Sequence, residues 1–301
     1  MSSKKGRRQP FGGNETTSQT EAPEKSHVPQ SSWISYRNFL RLIFIVIVFG
    51  GTAIAMQLRM RSTVERFECK VIKKYDHDPT AFTQGLLIDD EGKYLYESTG
   101  LVGASSIRKV ELETGNIMQN FALPSDYFGE GLAKHGDRFY QLTWQNGKIL
   151  IYDEDLNYME SRDFDGEMWG LTSDGKHLIL SDGTYRLRFL DPETLTVVRS
   201  IEVRSDNSRV DDLNELEFVG GKIYANRYES DLLYIIHPST GKVEAEIDTS
   251  GMWPRSQRPK GGVMNGIAFN SKLGQQGERG RILLTGKYCP HIYEVEFVLP
   301  E

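Results

Sequence analysis

Five residues able to bind substrate or move protons recur along this chain at related spacings. They are Gln84, Glu130, Trp169, Asn214 and Asn265, separated by 46, 39, 45 and 51 residues. Each sits in a similar frame: Phe82-Thr83-Gln84-Gly85-Leu86, Phe128-Gly129-Glu130-Gly131-Leu132, Met168-Trp169-Gly170-Leu171, Leu213-Asn214-Glu215-Leu216 and Met264-Asn265-Gly266-Ile267-Ala268. A constant frame with a changing central residue reads as one scaffold lending positions to a single site. Glu130 is the only carboxylate in a central slot and is the acid/base candidate. Gln84 and Asn214 offer amides. Counting seven or eight residues on from the turn glycine that follows each frame reaches Trp144, Tyr228 and Lys287 in the second, fourth and fifth copies. A carboxylate, amides, a cation and aromatic rings together suit a small-molecule or chain-end pocket.

The elements that must position these groups follow from the same repeat. Repeats of about 40–50 residues mark solenoids and propellers. After each frame a glycine precedes a strand-like run: 93–98, 137–143, 176–181, 222–227 and 281–285. These runs are rich in Tyr, Phe, Ile and Leu. Turns such as Asp191-Pro192-Glu193-Thr194 and Pro238-Ser239-Thr240-Gly241 then join further strands. Four short antiparallel strands per copy, five copies and no helical periodicity after the apolar segment predict an all-β, five-bladed β-propeller. A β-sandwich with accidental similarity between strands is the competing fold. If each frame opens an innermost strand, the second strand returns to the same face. Glu130, Asn214, Gln84, Trp169, Trp144, Tyr228 and Lys287 then converge on one mouth.

The composition divides the 301 residues into three parts. Residues 1–38 are rich in Ser, Gln, Thr, Pro and charge and read as a disordered tail. Residues 39–58, charged only at Arg41, have the length of a single transmembrane helix. A cleaved signal peptide and a buried core helix are the alternatives; about 40 residues ahead of the apolar run is long for a signal peptide, which favours an uncleaved anchor. Residues 59–301 form the propeller. Basic residues flank the span on both sides, so the positive-inside rule leaves its orientation open. The tail carries net +4 and the whole chain −6, leaving about −10 after the anchor. That argues against phosphate-backbone binding and nucleic-acid partners. The six histidines show no metal-ligand spacing, and no metal or other cofactor is expected. If the strand holding Cys69 completes the last blade, Cys69 and Cys289 could be neighbours, and a lumenal compartment would permit a disulfide. Two free thiols are the alternative.

Read together, the motifs are closely similar to the plant-type glutaminyl-peptide cyclotransferases, also called glutaminyl cyclases. The stretches that carry the resemblance are 76–86, 97–101, 127–132, 169–171, 181–184, 213–217, 265–268 and 285–287, across the chain from about Cys69 to Phe297. The family's fold is a five-bladed propeller. The resemblance implies conversion of an N-terminal glutamine of peptides or proteins to pyroglutamate with release of ammonia. It carries the acid/base role to Glu130, polar site positions to Gln84, Asn214 and Lys287, and pocket aromatics to Phe82, Phe128, Trp144 and Trp169. Tyr228 stands where the family usually has Trp, and Tyr288-Cys289 where it usually has Leu-Trp.

Two other functions remain open on sequence: a membrane-tethered propeller that binds peptides or glycans without turnover, and a metal-dependent hydrolase of the lactonase-like type. The second needs several inward carboxylates, and Glu130 is the only one in a slot. The expected setting is a monomeric, single-pass type II protein of the endoplasmic reticulum, Golgi or wider secretory pathway. Its tail would be cytosolic and its propeller lumenal, where propeptide removal exposes N-terminal glutamines.

Overall fold

Short apolar strands alternate with turns whose side chains cap the backbone. Asp89 accepts the N–H groups of Lys93 and Tyr94, Asp153 those of Asp155 and Asn157, and Asp191 those of Glu193 and Thr194. Such Asx-type bonds satisfy the backbone where the chain reverses. In this computed structural model, which describes residues 64–270 and 281–300, the result is an all-β fold. The anticipated tail 1–38 and apolar span 39–58 lie outside the described residues. Among the described residues no helix is long and apolar enough to cross a membrane, and the one short helical turn, Arg255–Gln257, is 3₁₀.

After a first strand, β1 (Glu65–Asp76), the chain builds consecutive four-stranded antiparallel units. The first holds β2 (Thr83–Ile88), β3 (Tyr94–Thr99), β4 (Ser106–Glu111) and β5 (Ile117–Ala122). The second holds β6 (Gly129–His135), β7 (Arg138–Thr143), β8 (Lys148–Tyr152) and β9 (Tyr158–Asp163). The third holds β10 (Leu171–Ser173), β11 (Leu178–Ser181), β12 (Arg186–Leu190) and β13 (Val197–Glu202). A small hairpin, β14 (Arg204–Ser205) and β15 (Ser208–Arg209), leads to the fourth unit: β16 (Leu213–Val219), β17 (Lys222–Arg227), β18 (Leu232–Ile236) and β19 (Val243–Asp248). The last unit holds β20 (Met264–Asn270), β21 (Arg281–Gly286) and β22 (His291–Val298), with β1 as its outer strand, antiparallel to β22. The N-terminal strand thus completes the final unit. It also pairs in parallel with β19, Glu65 opposite Ala245, which joins the fourth and fifth units into one eight-stranded sheet.

Five hydrophobic clusters fill the seams between neighbouring units. One cluster combines Leu86 and Val110 of the first unit with Ala268 and Leu283 of the last, so the ring closes on itself in a propeller-like arrangement. The innermost strands come very close around the axis. A Cβ placed on Gly170 would lie 1.9 Å from the Asn214 carbonyl oxygen. This approach explains why a glycine follows the variable slot in most frames.

The register shifts at four of the five slots: between Thr83 and Gly85, Gly129 and Leu132, Leu213 and Leu216, and Met264 and Ile267. A bulge interrupts the regular alternation and re-aims a side chain. In four of the five units the repeated frame is therefore the signature of a bulge at the start of the inner strand.

The two cysteines are free thiols. Cys69 stands opposite Phe297 on the β1–β22 ladder, whereas Cys289 lies beyond its other end, where Asp76 faces His291. Seven ladder positions separate those ends, roughly 23 Å at strand rise. A disulfide needs Cα atoms within about 7 Å. The bridge considered from sequence is therefore not formed, although Cys69 does lie on the strand that completes the last unit.

Candidate active site

The inner-strand bulges and the ends of the returning strands meet at one mouth of the ring. There they line a cavity of about 280 Å³, formed by Phe82, Gln84, Phe128, Glu130, Trp144, Trp169, Asn214, Tyr228 and Lys287. All nine residues singled out from the sequence as catalytic or substrate-binding candidates line it. Asn265 does not: it sits behind Gln84, its amide donating to Thr83 O at 2.9 Å and to Gln84 Oε1 at 3.0 Å. Asp182 caps its own turn through Thr184 and pairs with Arg188.

Glu130 lies on β6 with 4% of its surface exposed. The Gln84 amide, itself oriented by Asn265, donates to Glu130 Oε1 at 3.0 Å. Glu130 Oε2 is buried without a partner. Burial pushes the carboxyl well above the usual carboxylate range; Lys287 opposes this shift and Glu167 adds to it. Burial thus favours the protonated carboxyl, one oxygen of which has no protein partner.

Lys287 follows β21 and is 4% exposed. Its backbone is fixed by Val263 O at 2.9 Å, and its ammonium lies 4.5 Å from the Phe82 ring centroid and 5.1 Å from that of Tyr228. Burial draws its pKa down to about 8, against the pull of Glu130. Lys287 and Glu130 influence each other by charge without a direct ion pair. Asn214 is buried on β16; its backbone carbonyl accepts Ser181 Oγ at 2.6 Å, and its side-chain oxygen has no protein partner.

The wall is aromatic. Phe82 meets Phe128 edge-on at 5.9 Å, Phe128 meets Trp144 at 5.7 Å, and Trp169 meets Tyr228 edge-on at 5.8 Å. Tyr228 thus takes a wall position as an aromatic ring. Tyr288 packs edge-on against Phe82 from outside the cavity, at 5.2 Å. Gly183 leaves room for Trp169, whose ring would lie 2.7 Å from a Cβ there.

Sequence reasoning missed two groups. Glu167 accepts the indole N–H of both Trp144 and Trp169. Its signal was its place two residues ahead of Trp169. The second is a buried cluster in which Glu97 joins His77, Thr83 and Arg108, while His77 Nδ1 meets Cys289 O at 2.7 Å. It ties the segment carrying Phe82 and Gln84 to the turn carrying Lys287. Its members are spread from residue 77 to 108, and only the strand pairing brings them together.

Residues 43–297 match the glutamine cyclotransferase family. A glutaminyl-peptide cyclotransferase of Arabidopsis thaliana is 38% identical over 236 residues, covering 76% of this chain and 71% of that protein. The crystal structure of Myxococcus xanthus glutaminyl cyclase superposes with a TM-score of 0.71 at 32% identity, covering 79% of this chain and 99% of the other. On these matches, the chain belongs to the glutamine cyclotransferase family.

Proposed function

We propose that this protein is a glutaminyl-peptide cyclotransferase whose five-bladed β-propeller, residues 59–301, cyclises N-terminal glutamine in the axial cavity with Glu130 as general acid/base. The observation that carries the placement is the buried carboxyl of Glu130, which has one oxygen held by Gln84 and the other unpartnered, in a cavity of about 280 Å³. Family membership supports the reaction itself.

The chemistry follows from the groups present. A substrate α-amine has an ordinary pKa of about 8, so a usable fraction is neutral near pH 7. Its nitrogen attacks the γ-amide carbon, forming the ring C–N bond and an oxyanion. Glu130 gives its proton to the departing amide nitrogen and takes one from the ring nitrogen. Ammonia leaves, and the carboxyl ends as it began. Lys287 and the Asn214 amide supply positive charge and an N–H donor for the oxyanion. The aromatic wall encloses the short side chain and keeps its attacking rotamer close, an intramolecular advantage.

The test is ammonia release from Gln-leading peptides by the purified chain and by its Glu130→Gln variant. A positioned acid/base contributes roughly 10²–10⁴-fold. A folded variant within about tenfold of the parent would remove Glu130 from that role.

In this reading residues 39–58 anchor the protein once in a membrane, with 1–38 cytosolic and the propeller lumenal in the secretory pathway. What supports it is the uncharged run from Leu42 to Met56, together with the origin of new N-terminal glutamines in propeptide processing. The only sequon, Asn14-Glu15-Thr16, lies in the tail. Its remaining unglycosylated while a sequon placed in a propeller loop gains a glycan is the expected result. A glycosidase-sensitive shift lost in Asn14→Gln reverses the orientation.

A further inference from the structure

The walls of the cavity form a circuit with one gap. Lys287 lies over the rings of Phe82 and Tyr228; Phe82 touches Phe128, Phe128 touches Trp144, and Tyr228 touches Trp169. Between Trp144 and Trp169 no ring contact exists. The two belong to different units, Trp144 following β7 and Trp169 preceding β10. A backbone bond from Met168 N to Trp144 O at 3.4 Å ties the two segments, and one oxygen joins the indoles themselves: Glu167 Oε1 accepts the N–H of Trp169 at 2.9 Å and also that of Trp144. Glu167 is exposed, so this link lies at the rim of the mouth rather than in its floor.

We infer that Glu167 is a positioning residue that sets the width of the pocket, holding the two indole rings together across the seam between units and so deciding how tightly the glutamine side chain is gripped. The inference rests on the reading that cyclisation takes place in this cavity.

Three points of chemistry support it. An indole has one N–H and no acceptor, so each ring can be steered by only one polar partner. A carboxylate is acceptor-only and its hydrogen bonds are charge-assisted, which suits one oxygen to two donors. Trp144 is 36% exposed and packs against Phe128, on the side away from Trp169, so the Glu167 bond is what draws its ring toward Trp169. The same carboxylate also acts on the acid/base group. The charged side chains that bear on Glu130 are Lys287, which favours its ionised form, and Glu167, which opposes it; Gln84, its hydrogen-bond donor, is neutral. Glu167 thus links the grip on the substrate to the protonation of the group that works on it.

The test is steady-state ammonia release by the full chain from a Gln-Ala dipeptide across pH, for the parent, Glu167→Ala, Glu167→Gln and, as a control on the site, Glu130→Gln. Glu167→Ala leaves both indoles without an acceptor; KM is expected to rise about tenfold with a smaller change in kcat, the scale of one charge-assisted bond. Acrylamide quenching of tryptophan fluorescence should rise with it. Glu167→Gln keeps an oxygen that can take both N–H groups but removes the charge. It should recover KM to within about threefold of the parent and still move the alkaline limb of kcat/KM to lower pH, since Glu130 then ionises more easily. A purely structural role would not move that limb. A KM for Glu167→Ala equal to the parent's, with Glu130→Gln inactive, overturns the inference and leaves the site standing. An active Glu130→Gln overturns both. If Glu167→Ala does not fold, Glu167→Leu, which fills the space without an acceptor, takes its place, and a KM equal to the parent's rejects the inference.

Discussion

Glu97 and Glu130 stand on neighbouring units, on β3 and β6, with 1% and 4% of their surfaces exposed. Burial pushes both carboxyls toward the neutral form, and their partners send them opposite ways. Glu97 Oε1 accepts Thr83 Oγ1 at 2.7 Å and meets His77 Nε2 at 3.1 Å; its Oε2 takes Arg108 Nε at 2.8 Å. Arg108 continues to Asp78 at 2.7 Å. Burial notwithstanding, the charges and bonds of His77 and Arg108 hold Glu97 down at about 2, and Glu97 in turn raises His77. Glu130 receives one bond from a neutral amide and keeps an empty oxygen. Equal burial thus yields a fixed anion in one case and a chemically available acid in the other. Both oxygens of Glu97 are bonded, whereas Glu130 keeps one oxygen that a ligand can engage.

Exchanging each carboxylate for its amide should break this pair in opposite directions. Glu130→Gln is expected to lower turnover by roughly 10²–10⁴-fold. In acid, below the ordinary carboxylate range, it should leave urea unfolding near the parent, because there a protonated carboxyl is replaced by a neutral isostere. Glu97→Gln strips Arg108 and His77 of their shared anion. It should cost about 3–5 kcal/mol of unfolding free energy, read by urea denaturation. Its folded fraction should lose less turnover than Glu130→Gln does. A stable Glu97→Gln with turnover as low as that of Glu130→Gln would put Glu97 in the chemistry and collapse the distinction.

The sequence made one of these carboxylates legible and hid the other. Glu130 stood out because a repeated frame presented it beside Gln84 and Asn214, and the frame had a physical cause: a bulge at the slot and a glycine where inner strands nearly touch. The returning strands then placed Trp144, Tyr228 and Lys287 by counting alone. The Glu97 cluster repeats in no other unit, so no comparison within the chain could show it. Glu167 was obscured for another reason: nothing in a string of residues says that two indoles from different units share one acceptor. The parallel pairing of β1 with β19 was equally invisible, since Glu65–Glu68 carries no apolar alternation pointing to a second partner.

Lys287 sharpens the comparison from the cation's side. Arg108 is a cation spent on two carboxylates, Glu97 and Asp78. Lys287 is buried among rings without a direct carboxylate partner, and its pKa falls to about 8. If its charge meets the oxyanion, Lys287→Ala should lower kcat and kcat/KM together by about 10²–10³-fold, the cost of one oxyanion donor. A change confined to KM would make it a docking group instead.

The smallest effect is a pH signature in stability, and its sign differs between the two carboxylates. Glu97 has a folded pKa below its ordinary value, so the unfolded chain binds its proton first as pH falls. Its contribution is fully present above the ordinary carboxylate range and is lost as pH falls through that range toward about 2. Glu130 has a folded pKa well above the ordinary value, so the native state keeps the proton longer. Its neutral form favours folding below the ordinary carboxylate pKa, and that advantage disappears as pH rises toward the folded pKa. Each group contributes a slope of at most about 1.4 kcal/mol per pH unit within its window. Urea unfolding of the parent and the two amide variants across pH isolates each slope by difference. Relative to Glu97→Gln, the parent should lose stability as acid is added below about pH 4. Relative to Glu130→Gln, it should lose stability as base is added above the ordinary carboxylate range. Differences of the same sign would mean that the two buried carboxyls share one kind of environment, and that Glu130 is held as an anion rather than as the acid the reaction requires.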